Sequence, residues 1–248
     1  MSGRVEALDP QLVLGAYAVG VFPMADHRDA ASVYWVEPRR RAVLPLDGFR
    51  LSRSLRKTIR ADRFRVTADR AFVDVLALCA EPVPGRPETW INLPIERVFL
   101  QLHAQGFAHS LECWDGDRLV GGLYGLALGR AFFGESMVSR ATDASKVALA
   151  WLVARLRVGG FTLLDCQFQT AHLQSLGAVE IGRSDYVALL GSALAGADGA
   201  SLGLAGARAG DFGALDRLPS PPDAPPSSTT VSGPLSGKDI AQLLVQTS

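Results

Sequence analysis

The chain has 248 residues, of which 48% are hydrophobic and 20% charged, enough to bury a sizeable core in one large domain or two modest ones. Its 25 basic and 25 acidic side chains cancel, and its mean hydropathy of +0.16 comes from Ala, Leu and Val spread along the chain, with no uninterrupted apolar run long enough to span a membrane. The opening Met1-Ser2-Gly3-Arg4-Val5-Glu6 has no apolar signal region, and Cys79, Cys113 and Cys166 match neither a disulfide framework nor a zinc spacing, so a cytoplasmic protein is expected.

Residues 11–17 read as a short amphipathic helix, and Gly20-Val21-Phe22-Pro23-Met24 as the turn that follows it. Val33-Tyr34-Trp35-Val36 and Arg41-Ala42-Val43-Leu44-Pro45 are two strand-like runs separated by a bend at Pro38. Helical spacing follows over 52–59, a strand over 64–67, and a helix over 70–79 with Phe72, Val73, Val75, Leu76 and Leu78 as its apolar stripe. Residues 82–89 read as a loop. A helix over 93–105 has Pro94 in its first turn and Gly106 as its stop.

A strand over 109–114, the turn Asp115-Gly116-Asp117 and a strand over 118–128, interrupted at Gly121 and Gly122, form a hairpin. A third strand covers 131–139. Asp143 is expected to cap a helix over 144–158 closed by Gly159-Gly160. A near-continuous apolar strand over 161–168 carries Asp165, a short helix over 170–176 ends at Gly177, and a last strand runs over 178–182.

These elements predict an α/β (α+β) chain. A smaller N-terminal α/β subdomain over 1–65 is followed over 66–190 by an acyltransferase domain of the kind called GNAT, with a mixed, largely antiparallel sheet. Residues 191–248 are expected to form a flexible tail and a dispensable tether. In support, 31 of the 47 residues from 191 to 237 are Gly, Ala, Ser or Pro, although the stretch from Lys238 to Val245 has the makings of one short helix or strand.

Charge is unevenly spread. Between Arg39 and Arg70 eleven basic residues face only Asp47, Asp62 and Asp69, an excess of eight positive charges. A patch of that size suggests a polyanion site, with a solvated helix face as the plainer reading. Arg53, Arg56, Lys57 and Arg60 are the expected contacts to phosphates.

The chemistry begins with what is missing. There is no Gly-rich phosphate loop, no Gly-x-Ser-x-Gly elbow and no zinc spacing among His27, His103, His109 and His172. In a GNAT enzyme that uses acyl-CoA, backbone amides of a Gly-rich turn hold the pyrophosphate. Here the corresponding turn, Ser139-Arg140-Ala141-Thr142-Asp143-Ala144, has no glycine, so no CoA, other cofactor or metal is expected. On the strand over 161–168, alternation puts Asp165 and Gln167 on one face and Cys166 on the other. Glu135, inside Phe132-Phe133-Gly134-Glu135-Ser136-Met137, is a second acid in apolar company. Polar groups so placed either satisfy one another or serve a ligand.

Ordered blocks then carry a resemblance. They are Ala16-Tyr17-x-x-Gly20-x-Phe22-Pro23-Met24, Trp35-x-x-Pro38, Arg41-Ala42-Val43-Leu44, Thr89-Trp90-Ile91 and Leu102-His103-x-x-Gly106-x-Ala108-His109-Ser110-x-Glu112. Further on come Leu119 to Gly125, Phe133-Gly134-Glu135-Ser136-Met137, Asp143-Ala144-Ser145-Lys146, Asp165-Cys166-Gln167, His172-Leu173 and Ser175-Leu176-Gly177-Ala178. Over about residues 10–190 the chain resembles the leucyl/phenylalanyl-tRNA–protein transferase family. It departs from the family at Val138, where Phe is usual, and at Val36-Glu37, which replace a second aromatic and a small residue.

The resemblance implies transfer of Leu or Phe, and Met less well, from aminoacyl-tRNA to the α-amine of proteins that begin with Arg or Lys, marking them for N-end-rule degradation. It implies catalytic roles for Asp165 and Gln167, which would position and help deprotonate the amine, and for Glu135, which would complement the acceptor's positive side chain. Trp35 and Trp90 would stack on the 3′-terminal adenosine. Phe132 and Met137 would line an apolar pocket for the donor side chain. No membrane contact is implied, and a monomer is expected. Two other readings remain open on the residues: an acyltransferase that uses acyl-CoA, and an RNA-binding module without catalysis.

Overall fold

The computed structural model describes residues 7–82, 88–195, 209–219 and 235–245. In chain order the elements are α1 (Pro10–Ala18), β1 (Phe22–Met24), β2 (Tyr34–Val36), β3 (Arg40–Val43), α2 (Arg53–Arg60), β4 (Arg65–Ala68), α3 (Phe72–Ala80) and α4 (Leu93–Ala104). The hairpin strands β5 (Ala108–Asp115) and β6 (Arg118–Leu128) follow, then β7 (Ala131–Ser139), α5 (Ala144–Val158), β8 (Leu163–Gln167), α6 (Ala171–Ser175), β9 (Val179–Gly182) and α7 (Arg183–Leu194). A 3-10 turn at Ala214–Arg217 and α8 (Gly237–Val245) complete the described chain.

Seven strands form one mixed sheet in the order β4-β5-β6-β7-β8-β3-β9, while β1 and β2 pair as a separate small ribbon. Every pairing in the large sheet is antiparallel except β7 with β8. That parallel pairing runs from Ala131↔Leu163 to Phe133↔Asp165 and stops there, so the ends of the two strands part beyond Phe133 and Asp165.

Two apolar layers cover the sheet. On one face α5 is buried nearly all round, from Val147 to Leu156, as a helix sealed on every side must be, and it packs with Leu55 and Ile59 of α2 and Ile240, Ala241 and Leu244 of α8. On the other face Val13 and Tyr17 of α1 join α3, α4 and Tyr186 and Leu190 of α7. Among the described residues no helix is long and apolar enough to cross a membrane.

Several expectations are corrected by this architecture. Arg40–Val43, from the segment expected to form the N-terminal subdomain over 1–65, is hydrogen-bonded between β8 and β9, so the sheet is built across that boundary. Gly121 and Gly122 do not interrupt β6; both pair with β5 and β7, and a Cβ at Gly122 would lie 2.6 Å from the Leu111 carbonyl oxygen. Asp143 takes the N-cap position of α5, but its side chain accepts no backbone N–H from the first turn. It sits at φ 68 with its carboxylate on Lys146 Nζ at 2.9 Å, while Ser139 Oγ accepts from the Ser145 amide at 3.3 Å.

The described parts of the segment expected to be a tail are packed. Arg183–Leu194 continues as a helix past Gly191, Phe212 stacks on Phe132 with ring centroids 5.7 Å apart, and α8 buries three side chains in the core on the α5 face. A Gly/Ala/Ser/Pro-rich composition lowers the apolar content of a segment without removing it, and Phe212, Leu215, Ile240 and Leu244 are the residues that dock. The Pro-rich run beyond Pro219, from 220 to 226, and most of the loop over 82–89 lie outside the described residues.

Candidate active site

Asp165 is fully buried at the point where β7 and β8 part. A carboxylate taken wholly out of water needs charge and donors around it. Arg41, on β3 and only 1% exposed, supplies the charge: its Nε lies 2.9 Å from both carboxylate oxygens and its Nη2 2.6 Å from Oδ2. Tyr186 of α7 donates its hydroxyl to Oδ2 at 2.7 Å, and the Gln167 amide donates to Oδ1 at 2.7 Å. Arg41 is held in turn by the Gly20 carbonyl at 3.1 Å and lies between the rings of Phe22 and Tyr186, 4.6 Å from each centroid.

Glu135 reaches the same place from β7. In the β6–β7 register Tyr124 faces Ser136 and Gly125 faces Gly134, which leaves Glu135 as the extra residue of a bulge. The bulge is possible because residue 125 is glycine: a Cβ there would lie 2.3 Å from the Phe133 carbonyl oxygen and 2.4 Å from a Phe132 ring carbon. Glu135 accepts the Tyr17 hydroxyl at 2.7 Å and Gln167 Nε2 at 2.9 Å.

Gln167 therefore joins the two acids, its backbone amide on Asp165 and its side-chain amide on Glu135. Its φ of 60 places it in the left-handed region, a conformation that costs a non-glycine residue on the order of 1 kcal/mol or more. With Nε2 committed to Glu135, the carbonyl Oε1 is the hydrogen-bond acceptor that Gln167 presents.

Burial pushes the Glu135 carboxyl up to about 7, with the Asp165 charge adding to the rise, against the lowering effect of the bonds from Tyr17 and Gln167 and of the Arg41 charge. Burial, then Glu135, raises Tyr17 well above its ordinary value, and burial, then Asp165, does the same for Tyr186. Both hydroxyls therefore remain donors at neutral pH.

These values give a stability prediction. In the folded state Glu135 holds its proton until about pH 7, whereas at its ordinary value it loses it near 4.5. The folded state binds the extra proton between these values, so the contribution of Glu135 to stability is greatest below pH 4.5 and declines as pH rises through 7. The full span is on the order of 3 kcal/mol. Urea unfolding from pH 5 to 8 is expected to show this fall in the wild type and a flatter profile in Glu135→Gln; parallel profiles would refute it.

The other expected site residues are placed as follows. Trp35 is 39% exposed on β2 opposite Pro23, and the Trp90 carbonyl accepts the Ala25 amide at 3.2 Å, so the backbones of both residues lie against β1 or the residue after it. Phe132 is fully buried against Phe161 and Phe212, and Met137 packs into the same core on the α5 face, across the sheet from Tyr17 and Glu135. The extra residue at the bulge breaks the alternation that would otherwise carry Met137 to the side of Glu135.

The basic window also divides. Arg40 pairs with Glu180, Arg41 with Asp165 and Arg63 with Asp115, while Arg65 lies over the Trp114 ring at 5.1 Å. Arg53, Arg56, Lys57 and Arg60, at positions i, i+3, i+4 and i+7, are exposed on one face of α2 and form no ion pair among the described residues.

Sequence reasoning gave no role to Arg41, Tyr17 or Tyr186. The signal for Arg41 was one arginine opening an apolar strand in a chain whose buried acid needed a partner. For Tyr186 it was the spacing Tyr186, Leu190, Ala193 beyond the last expected strand. Phe168, 45% exposed and next in sequence to Gln167, was also passed over; its ring meets Phe22 edge-on at 5.7 Å. Among the described residues no group of three or more His, Cys, Asp or Glu side chains is placed to hold a metal ion.

Two family models match the chain. One, described as leucyl/phenylalanyl-tRNA protein transferase, matches residues 43–191, and one for the N-terminal domain of that transferase matches residues 6–39. A relative from Rhizorhabdus wittichii named leucyl/phenylalanyl-tRNA–protein transferase is 63% identical over 252 residues, 98% of this chain and all of its own. Proteins of the same name from Zymomonas mobilis and Rhodospirillum rubrum are 59% identical over 85% of this chain and 76% of theirs, and 60% identical over 76% and 88%. The solved structure of L-PGS from Bacillus licheniformis aligns at 13% identity and a TM-score of 0.41, over 70% of this chain and 72% of that one, too distant to bear on fold or chemistry.

Proposed function

Because the chain belongs to the leucyl/phenylalanyl-tRNA–protein transferase family, we propose that it carries Leu or Phe, and Met less well, from aminoacyl-tRNA to the N-terminal α-amine of proteins that begin with Arg or Lys. Proteins so modified would be marked for N-end-rule degradation, in the cytoplasm and by a monomeric enzyme. The observation that supports the reading best is Gln167, strained at the end of β8 and bonded to both Asp165 and Glu135. A GNAT-like assignment of the sheet is part of the proposal; the one parallel pair and its divergence beyond Phe133 and Asp165 support it.

An aminoacyl ester is already activated, so the enzyme has to align an amine with a carbonyl carbon and exclude water. The acceptor α-amine titrates at about 7.7–8.0 and is partly neutral at working pH. The neutral amine attacks the ester carbonyl, the new C–N bond forms as the bond to the ribose oxygen breaks, and the proton lost by the amine balances the one gained by that oxygen. Gln167 Oε1 would accept an amine N–H and fix its direction of approach.

Asp165 already accepts from Arg41, Tyr186 and the Gln167 amide. It therefore serves better as the anchor that holds Gln167 than as the base that deprotonates the amine. Glu135 would face the positive side chain of the acceptor, and as its ionisation falls near pH 7, that attraction strengthens as pH rises through neutrality. Trp35 and Trp90 would take the terminal adenosine, and the cation row of α2 would take tRNA phosphates without reading sequence.

Transfer of radiolabelled Leu, Phe or Met from charged tRNA to otherwise identical proteins with N-terminal Arg, Lys or Ala tests the reading. Labelling of the Arg and Lys proteins at least about tenfold above the Ala protein is expected, a ratio of about 1.4 kcal/mol. Equal labelling of all three would overturn the acceptor assignment, and no labelling by a folded enzyme that binds tRNA would overturn the activity.

A further inference from the structure

The match to the family models ends at residue 191, yet the chain goes on to a helix that packs against the cation row. α8 is pinned there in three ways. Ile240, Ala241 and Leu244 are buried in the core with Leu55 and Ile59 of α2. Asp62 Oδ1 accepts the Gly237 amide at 2.7 Å, and Arg157 Nη1 donates to the Leu243 carbonyl at 3.0 Å. Only glycine fits at 237, since a Cβ there would lie 1.9 Å from the Ile59 carbonyl oxygen. The close approach puts the next residue, Lys238, beside the end of α2.

Between the two helices lies an open groove of about 470 Å³, lined by Arg53, Arg56, Lys57, Arg60, Ala61 and Lys238. All five cations are exposed, and none forms an ion pair among the described residues. Like charges at i, i+3 and i+4 along one helix face destabilise it. A second helix that adds a further positive charge to the same groove makes the repulsion worse. Neither arrangement helps the fold, and both suit a polyanion that replaces the missing counter-charge.

We propose that Lys238, carried on a C-terminal helix outside the family models, is a phosphate-contacting residue of the tRNA site, and that α8 completes an RNA-backbone groove begun by α2. The inference rests on the reading of α2 as a tRNA contact and deepens it: the C-terminal segment becomes part of the substrate platform instead of a dispensable tether. Contacts of this kind are independent of sequence and weaken with salt in proportion to the phosphates engaged.

The test uses the full-length enzyme and uncharged tRNA, with Kd measured from 50 to 300 mM salt for the wild type, Lys238→Ala, Lys238→Glu, Lys238→Arg and Arg56→Ala. Lys238 is exposed, so its substitution leaves the core intact. Lys238→Ala is expected to weaken binding roughly threefold and to lower the slope of log Kd against log salt by about 1. Lys238→Glu should weaken binding about tenfold and Lys238→Arg should keep wild-type affinity and slope. Wild-type affinity and slope in Lys238→Ala and Lys238→Glu, beside a loss in Arg56→Ala, would overturn the inference and leave the α2 reading standing. No change in Arg56→Ala either would overturn the α2 reading, and the inference with it.

Discussion

Asp165→Leu is expected to lower the free energy of unfolding by about 3–5 kcal/mol, because it leaves the Arg41 guanidinium buried without its counter-charge. The Tyr186 hydroxyl and the Gln167 amide lose their acceptor in the same step, while Arg41 stays fixed between Phe22 and Tyr186 with one remaining bond to Gly20. The double substitution Arg41→Met with Asp165→Leu removes both charges and is expected to recover most of the loss, since a buried pair replaced by apolar side chains is close to neutral. Denaturant midpoints at constant m-value measure both effects. A double variant no more stable than Asp165→Leu would refute the ion-pair account. Loss of transfer on substitution of Asp165 therefore says little about proton transfer by itself, because the residue supports the site as well as Gln167.

Gln167→Ala separates the two roles. It keeps the Asp165–Arg41 pair and, through its own backbone amide, the bond to Asp165 Oδ1; only the side-chain amide is lost. Unfolding free energy should fall by about 1 kcal/mol, the worth of one hydrogen bond between side chains. The kcat for transfer to an N-terminal Arg protein should fall on the order of a hundredfold, as expected when a reacting group is no longer held in line. The Kd for tRNA, whose proposed contacts are α2 and the two tryptophans, should not change. A kcat within a few-fold of wild type would remove Gln167 from the chemistry and leave it a strut between two buried acids.

Much of this protein is legible in its residues. The strands on either side of Asp115-Gly116-Asp117, the helix before Gly159-Gly160 and the apolar strand bearing Asp165 follow from periodicity and turn chemistry, because local sterics and one-sided burial decide them. The ordered motifs from Ala16 to Ala178 were enough to point to the family, and Asp165, Gln167 and Glu135 do meet in space. Tertiary structure decided the rest. Periodicity assigns faces only while register is regular, and the one extra residue at Glu135 put Met137 on the side away from it.

Charge pairing is likewise a long-range matter. A window of eleven basic residues reads as one patch until Glu180, Asp165 and Asp115, which are distant in sequence, remove Arg40, Arg41 and Arg63 from it and leave the row on α2. Composition marks the C-terminal segment as poor in core residues, but whether the few it has find a cavity depends on the shape of α2 and α5. Gly237 permits that approach because it lacks a Cβ. What the sequence by itself determined is therefore the set of elements and the chemistry they carry. Which side chains face one another was settled by the packing of the sheet, where bulges, ion pairs and docked helices are energies of the whole molecule and not of any segment.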